Sequence, residues 1–248
     1  MSKTVAIIQT RLSSTRLPGK VLKSIMSKDL LTHVVDRLKK VEEISEIVIA
    51  TTNEEQDDLL VNWCEERNLN YFRGSSENVL SRFYECAKKY GADTIIRVTS
   101  DNPLVDPNVV SMVVKKFYTE KLDYCSNNLH RTFPHGLDVE VFSFSSLETS
   151  HENAVEQADI EHVTQYIKKR PEQFKIENVQ LEKDYSFIRI TVDEDEDLQL
   201  IKILMMMKGE GILIEEIIKI FEEVPALLNI NKSSKEKHRQ YNQSEGIV

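Results

Sequence analysis

Three basic side chains lie close together in one loop near the start of the chain. The stretch AIIQTRLSSTRLPGKVL, residues 6–22, begins with apolar residues and continues into a polar loop rich in turn-forming residues. A ligand could closely approach the backbone N–H groups of this positively charged loop. Such a loop suits an anion with many oxygens, such as a polyphosphate. The stretch matches neither GxxxxGK[ST] nor GxGxxG, so on spacing alone the arginines could equally pair with surface acids. The candidate ligand-binding residues are Arg11, Ser13, Ser14, Arg16, Gly19 and Lys20.

Two aspartates follow β-branched runs and could complete an anion site with a metal ion. Asp101 directly follows the run DTIIRVTS, and Asp193 directly follows the run SFIRITV. Two carboxylates at strand ends that face a basic loop are what an octahedral Mg²⁺ bridging protein and phosphate oxygens requires. Taken singly, each aspartate is also typical of a helix cap. Asp106 precedes Pro107, a pattern that predicts a helix N-cap with proline at the first helical position.

A third candidate is the stretch HGLDVEVF, residues 135–142. Asp138 and Glu140 alternate along a predicted strand, so their side chains are expected on one face. They could hold a polar substrate, or they could form the solvent face of a hairpin, and the spacing does not separate these interpretations.

The elements that must position these residues alternate between strands and helices. TVAIIQ, EIVIAT and DTIIRVTSD are short and β-branched, whereas residues 29–42, 57–68 and 79–91 repeat apolar residues with a helical period. This alternation predicts an α/β fold with a doubly wound, mostly parallel sheet. Such sheets bind ligands at the carboxyl ends of their strands, where the basic loop and Asp101 would lie.

The pattern changes after residue 123, to short β-like pieces around a helix near 155–170. We expect an insertion or flap at about 128–180 within a single domain of residues 1–228. SFIRITVD, residues 186–193, is predicted to return to the main sheet, and helices are predicted near 195–208 and 214–223. The polar residues 229–248 are expected to form a mobile tail.

Composition excludes several classes of protein. The formal net charge is −9, which disfavours a general nucleic-acid binder, because such proteins present a broad basic field. Three scattered cysteines without CxxC spacing predict reduced structural thiols. No segment has the length of a signal peptide's apolar region or of a membrane span, so no membrane partner and a cytoplasmic location are expected.

Six stretches, in this order, resemble a known enzyme family. They are AIIQTRLSSTRLPGKVL, RGSSENVLSRF, RVTSDNPLVDP, HGLDVEVF, EHVTQYI and RITVDEDEDL. Together they resemble the sugar-activating cytidylyltransferases of the spore-coat polysaccharide F type, which are related to CMP-ketodeoxyoctulosonate and CMP-acylneuraminate synthetases. The likeness covers about residues 3–205.

The resemblance implies a fold and a reaction. The fold is a three-layer α/β/α arrangement of the Rossmann-like nucleotide-diphospho-sugar-transferase type. In the reaction, the hydroxyl of an acidic or deoxy sugar attacks the α-phosphate of CTP, pyrophosphate leaves, and a CMP-sugar forms for surface polysaccharide or glycan synthesis. Arg11, Arg16 and Lys20 would hold the triphosphate and offset its developing charge, and Asp101 and Asp193 would coordinate Mg²⁺.

The resemblance also implies further binding residues and a homodimer formed through the insertion. Ala50, Thr51 and Thr52 would contribute to the base pocket. Residues expected near the nucleotide are Arg73, Gly74 and Arg82, and those expected in the sugar-binding region are His135, Asp138 and Glu140.

The sequence departs from the family pattern at two places. Asn78 in Glu77-Asn78 replaces a usual carboxylate, and His135 replaces the aspartate that usually precedes the glycine of this motif. Both changes affect the expected substrate more than the expected catalysis.

Two other functions fit the same fold. A glycosyltransferase would consume a nucleotide-sugar, but it calls for an Asp-x-Asp motif where TSDNPL has a single aspartate. A non-catalytic nucleotide-sensing or scaffold protein would bind CTP without releasing pyrophosphate, although the joint presence of Arg11, Lys20, Asp101 and Asp193 argues against it.

Overall fold

The computed structural model describes residues 2–14 and 16–237 of the chain, and its strands alternate with helices as the sequence predicts. The strands are β1 (Thr4–Gln9), β2 (Ser24–Ile25), β3 (Lys28–Asp29), β4 (Glu46–Thr52), β5 (Asn70–Gly74), β6 (Thr94–Thr99), β7 (Tyr124–Ser126), β8 (Glu140–Ser143) and β9 (Ile176–Asn178). The helices are α1 (Leu30–Leu38), α2 (Asp58–Glu66), α3 (Val79–Lys89), α4 (Pro107–Glu120), α5 (Phe144–Asn153), α6 (Gln157–Glu161), α7 (Gln165–Lys168), α8 (Asp195–Lys208) and α9 (Ile214–Glu223).

Seven of the described strands form one sheet in the order β5-β4-β1-β6-β8-β7-β9. The strands β5, β4, β1 and β6 run parallel, and β8 pairs antiparallel with both β6 and β7. Strand β9 runs parallel to β7 at the far edge. The predicted α/β fold with a mostly parallel sheet is therefore confirmed.

Helices cover both faces of the sheet, and the alternation of side chains along β1 divides the core between them. Ala6 and Ile8 belong to the larger apolar cluster, which includes residues of α1, α4, α8 and α9. Val5 and Ile7 point to the other cluster, with residues of α3 and α5. These four residues of β1 are fully buried, two on each face of the sheet. The strand therefore lies at the centre of a three-layer structure.

Local sequence signals place the helix ends. Asp106 is the N-cap of α4, where its carboxylate accepts a hydrogen bond from the backbone N–H of Asn108 at 2.8 Å, so its predicted structural role is confirmed. Its other oxygen accepts the N–H of Ile214 at 2.8 Å, at the start of α9. Gly91 follows α3 with φ +60°, a left-handed conformation that favours glycine.

The region expected to be an insertion contributes strands to the main sheet. Strand β8 lies between β6 and β7, and β9 forms the edge of the sheet. The helix predicted near 155–170 is divided into α6 and α7. Val163 lies between them with φ +54°, a left-handed backbone conformation that interrupts a right-handed helix. Strand β5 was not predicted, since NYFRG is too short and mixed to show a period.

The segment 186–193 was predicted to be a strand of the main sheet, and that prediction is wrong. Residues 186 and 187 form a turn, and the one bridge of the segment pairs Arg189 with His135. Its backbone groups bond to loops instead: Ile190 N–H donates to His135 O at 2.7 Å, and Val192 N–H donates to Asp101 O at 2.9 Å. The segment therefore crosses the carboxyl end of the sheet.

The expected mobile tail begins with a packed segment. Asn231 and Ser234 are buried, and Asn231 donates hydrogen bonds to Asp197 of α8 and to the carbonyl of Arg189. The rest of the predicted tail, residues 238–248, lies outside the described residues. Within the part of the chain that the structure describes, no helix is both long and apolar enough to cross a membrane.

Candidate functional site

The basic loop after β1 is folded around its own backbone and anchored to the domain. Leu12 O accepts the N–H groups of Ser14 at 2.8 Å and Gly19 at 3.2 Å, and Leu17 is buried. Gly19 has φ +65°, which lets the chain turn into the short helical turn Lys20–Leu22. The loop is thus a defined structure that presents its polar side chains to one side.

These side chains line a cavity of about 430 Å³ at the carboxyl end of β1 and β6. Five of the six predicted loop residues, all except Gly19, take part, and both predicted aspartates line the same cavity. The lining residues are Gln9, Thr10, Arg11, Ser13, Ser14, Arg16, Lys20, Thr99, Ser100, Asp101, Asp193 and Lys237.

Lys20 lies between the two aspartates. Its Nζ donates to Asp101 Oδ2 at 3.1 Å, to Asp193 Oδ1 at 2.9 Å and to the backbone carbonyl of Val192 at 2.8 Å. Burial alone would lower the pKa of Lys20, but the charges of Asp101 and Asp193 outweigh burial and raise the pKa. The ammonium group is therefore charged, and all three of its N–H donors are used within the protein.

Asp193 is the centre of a larger ion-pair network. Arg16 Nη2 lies 3.0 Å from Asp193 Oδ1, and Arg189 Nη2 donates to Asp193 Oδ2 at 2.6 Å. Burial alone would raise the pKa of Asp193, but Lys20, Arg189 and Arg16 hold that pKa well below its ordinary value. The carboxylate is therefore ionised and is shared by three cationic side chains.

Asp101 is oriented by its neighbours on β6 and by the crossing segment. Thr99 Oγ1 donates to Asp101 Oδ1 at 2.6 Å, and Asn102 Nδ2 donates in turn to Thr99 Oγ1 at 3.0 Å. The backbone carbonyl of Asp101 accepts the N–H of Val192. These bonds hold the two aspartates at a fixed separation, on either side of the Lys20 ammonium group.

The donor set fits Mg²⁺. Asp101 and Asp193 offer carboxylate oxygens around a point that the Lys20 ammonium now fills, and Mg²⁺ is commonly bound by one or two carboxylates with water and substrate phosphates completing its shell. No group of three or more histidine, cysteine or acidic side chains suited to a metal ion occurs in residues 2–14 and 16–237. A metal ion here would consequently depend on substrate oxygens, and Lys20 would have to move.

A second cavity, of about 710 Å³, adjoins the first through Gln9 and Arg11. Arg82 lines it and is buried, and burial followed by the nearby charge of Arg11 lowers the Arg82 pKa to about 10. Neither arginine forms an ion pair among the described residues. The same cavity is also lined by Arg97 and by two acidic residues, Glu77 and Glu161, so its charge is mixed.

Other residues predicted to bind the nucleotide have structural contacts. Thr51 and Thr52 are buried, and their hydroxyls donate to Asp57, which also accepts the N–H of Leu12 at 2.8 Å. They therefore anchor the basic loop. Ala50 is fully buried in the sheet core.

Two residues of strand β5 also lie apart from the cavities. Arg73 Nε donates to Thr52 O at 2.9 Å, and its Nη2 donates to Glu54 O at 2.9 Å. Gly74 packs so closely on Arg82 that a Cβ would lie 2.8 Å from its Cγ. Gly74 thus supports a cavity-lining residue without lining the cavity itself.

A third cavity, of about 580 Å³, shares Thr99, Asp101 and Asp193 with the first. His135 and Asp138, two residues predicted for the sugar-binding region, line it. Glu140 does not. Its carboxylate is buried and bonded to Arg97, to Lys168 Nζ at 2.6 Å, to Tyr124 Oη at 2.6 Å and to Thr164 Oγ1 at 2.7 Å. Asp138 and Glu140 therefore have separate environments.

Comparison with known proteins identifies the family. The sequence model of the cytidylyltransferases matches residues 5–244. The chain belongs to the cytidylyltransferase family. It is thus a nucleotidyltransferase, and the resemblance inferred from the six motifs is confirmed.

Three relatives of this cytidylyltransferase illustrate the range of the likeness. The chain is 34% identical to the spore coat polysaccharide biosynthesis protein SpsF of Bacillus subtilis, over 85% of this chain and 89% of that one. It is 31% identical to the 3-deoxy-manno-octulosonate cytidylyltransferase of Geobacter metallireducens, over 45% of this chain and 43% of the relative. A solved cytidylyltransferase from Leptospira borgpetersenii superposes with a TM-score of 0.87 at 29% identity, covering 92% of this chain and 97% of the other.

Sequence reasoning did not single out several charged residues that line these cavities of the cytidylyltransferase. Arg97 lines the second cavity, Lys168 and Arg189 line the third, and Lys237 lines the first. Arg97 and Arg189 interrupt apolar runs, and a charge in a buried run is a signal that could have been used. Lys168 and Lys237 lie in polar segments without such a signal.

Proposed function

We propose that this cytidylyltransferase transfers CMP from CTP to a hydroxyl of an acidic or deoxy sugar, with Mg²⁺ as cofactor and pyrophosphate as the second product. The observation that carries the proposal is the convergence of the basic loop, Asp101 and Asp193 on one cavity. Nucleotidyl transfer is mainly positioning and charge stabilisation around an in-line displacement, and this cavity supplies both.

Each side chain has a proposed part in the reaction. Arg11, Arg16 and Lys20 bind the triphosphate oxygens and stabilise the charge that develops on the leaving pyrophosphate. Asp101 and Asp193 would hold Mg²⁺, which would neutralise phosphate oxygens. Lys20 would then have to leave the two aspartates, and its three donors would become free to bind phosphate.

The third cavity supports an acidic sugar as the acceptor. Four basic residues line it, Arg131, Lys168, Lys169 and Arg189, against three acidic residues, Asp101, Asp138 and Asp193. Each of the four cations is also paired with a protein carboxylate: Arg131 with Asp138, Lys168 with Glu140, Lys169 with Glu156 and Asp159, and Arg189 with Asp193 and Asp197. A sugar carboxylate would share these cations with the protein. The name of the Geobacter relative specifies an acidic deoxy sugar, and that of the Bacillus relative specifies polysaccharide synthesis.

The test is pyrophosphate release with Mg²⁺ and CTP, UTP, ATP or GTP against a panel of ulosonic acids, nonulosonic acids and neutral sugars. We expect release with CTP and an acidic sugar, abolished by EDTA, with the CMP-sugar identified by mass spectrometry. Release with neutral sugars alone would reject the acidic acceptor. Mg²⁺-dependent CTP binding without release across the panel would favour a non-catalytic nucleotide-binding protein, and absence of CTP binding would overturn the proposal.

A matched pair of variants links the reaction to the proposed site. Asp193→Asn should abolish release, whereas Asp195→Asn should not. Asp195 belongs to the same acidic run, but it is exposed and its nearest cation, Lys23, is 3.9 Å away. Equal activity of the two variants would contradict the assignment of Asp193.

A further inference from the structure

After α9 the chain returns to the first cavity, where Lys237 is one of the lining residues. Residues 232–237 are helical and pack beside the start of α8. Asn231 and Ser234 are buried, with 4% and 1% of their surfaces exposed. A polar segment that buries these side chains has a defined position against the domain.

Asn231 is the anchor of this segment. Its Nδ2 donates to Asp197 Oδ1 at 2.8 Å and to the backbone carbonyl of Arg189 at 3.1 Å. Asp197 accepts Arg189 Nε at 3.3 Å, and Arg189 in turn holds Asp193. The buried amide therefore joins the segment to the ion pairs that fix a proposed metal ligand.

Lys237 lies at the other end of the segment and lines the first cavity together with Arg11, Arg16 and Lys20. Its Nζ donates to Glu194 Oε2 at 2.7 Å, and the side chain is 60% exposed. An ammonium group has three N–H donors, so two remain for a ligand. Lys20, by contrast, has all three donors engaged.

We propose that Lys237 is a further polyphosphate-binding residue of this enzyme and that Asn231 positions it. The Glu194 carboxylate holds the ammonium at the cavity mouth, where its two remaining donors bond to phosphate oxygens of CTP or of the pyrophosphate product. This inference rests on the proposed function, because it assigns Lys237 to the same triphosphate site.

The test compares Lys237→Ala with Lys232→Ala. Lys232 belongs to the same segment, is exposed and does not line the cavity. The dissociation constant of inorganic pyrophosphate with Mg²⁺ is measured by calorimetry, and KM for CTP is measured in parallel. We expect Lys237→Ala to weaken both roughly fivefold, as for loss of one exposed charge pair. Lys237→Arg should restore most of the affinity, and Lys232→Ala should match the wild type.

Asn231→Ala tests the positioning role. If the amide acts by placing Lys237, pyrophosphate affinity should fall in Asn231→Ala as in Lys237→Ala, and the double variant should lose little more. Fully additive losses would overturn the positioning role. Wild-type affinity in Lys237→Ala would overturn the binding role.

The failure of this inference is distinguishable from failure of the proposed function. If the wild-type enzyme binds neither Mg²⁺-pyrophosphate nor Mg²⁺-CTP, both proposals fall together. If the wild type binds them and Lys237→Ala binds them equally well, the further inference alone fails.

Discussion

At the scale of single residues, the two proposed metal ligands have the same chemistry but different surroundings. The Asp101 side chain is 26% exposed and contacts one cation, whereas that of Asp193 is 9% exposed and contacts Lys20, Arg16 and Arg189. Removing charge from Asp193 therefore leaves more buried positive charge uncompensated.

We expect Asp101→Asn and Asp193→Asn each to lower kcat/KM by about 100-fold or more, because each removes a charged ligand from the metal site. Stability should separate them. Asp193→Asn should lower the free energy of unfolding by about 3 kcal/mol, and Asp101→Asn by about 1 kcal/mol. Denaturant unfolding without ligands measures this, and equal losses would contradict the network around Asp193.

Glu140 has a different role at this scale. Its buried carboxylate joins Arg97, which lines the second cavity, to Lys168, which lines the third. Burial alone would raise the pKa of Glu140, but the charges of Lys168 and Arg97, with hydrogen bonds from Lys168 and Tyr124, hold it far below the ordinary value of 4.5. Glu140 is thus a structural partner of two cavity-lining cations.

We expect Glu140→Gln to lose about 3 kcal/mol of stability at pH 7, since it breaks a buried ion pair. The folded-state pKa is depressed, so the carboxylate stabilises the protein fully above pH 4.5, and the effect is lost as the pH falls below that value. The gap between wild type and variant should therefore be constant from pH 6 to 8 and narrow below pH 4.5. Unfolding curves across this range measure it, and a gap that persisted unchanged to pH 3 would refute the assignment.

At the scale of elements, the third cavity depends on a close approach between two loops. Gly136 has φ +108°, and a Cβ there would lie 2.6 Å from the backbone of Ile190 and Thr191. This contact holds His135 against the crossing segment that ends in Asp193. The HGLD and ITVD motifs are therefore one structural unit, although they are far apart in the chain.

Gly136→Ala should destabilise the protein by roughly 3 kcal/mol or more, because backbone atoms on both sides must move. Gly91→Ala is the matched control, since Gly91 has φ +60° with open space around the added Cβ. It should cost only about 1 kcal/mol. Chemical denaturation of both variants measures the difference, which would vanish if the two loops were not in contact.

At the scale of the whole molecule, one sheet joins the parallel strands β5, β4, β1 and β6 to the later strands β7, β8 and β9. Strand β8 pairs with β6 at the centre of that sheet, so the later region shares its backbone hydrogen bonds with the earlier one. We infer that the two parts unfold together.

Calorimetry should accordingly show one unfolding transition, with an enthalpy of roughly 160 kcal/mol if each of about 230 packed residues contributes 0.7 kcal/mol. Fluorescence of Trp63, which lies on α2 near the opposite sheet edge, should change at the same temperature. A separate transition without change in Trp63 fluorescence would show that residues 128–180 form an independent unit. Saturating Mg²⁺-CTP should raise the midpoint.

The sequence by itself determined the elements around the first cavity and the polar residues at their ends. Strands β1, β4 and β6 and helices α1 to α4 were predictable because each has a clear local period, a cap or a stop. Asp106 with Pro107 is an example. Arg11, Lys20 and Asp101 were predictable as neighbours because strand order places their loops at the same sheet edge. Asp193 lies with them although the segment before it is not a strand of that sheet.

Only the tertiary structure decided which side chains share an environment. The contacts of Lys20 with Asp193, of Glu140 with Arg97, and of Asn231 with Asp197 join residues from separate parts of the chain. Local periodicity carries no information about such pairs, because they depend on how the loops and the last segment pack. For the same reason the segment 186–193, strand-like in composition, satisfies its backbone groups with loops instead of a ladder.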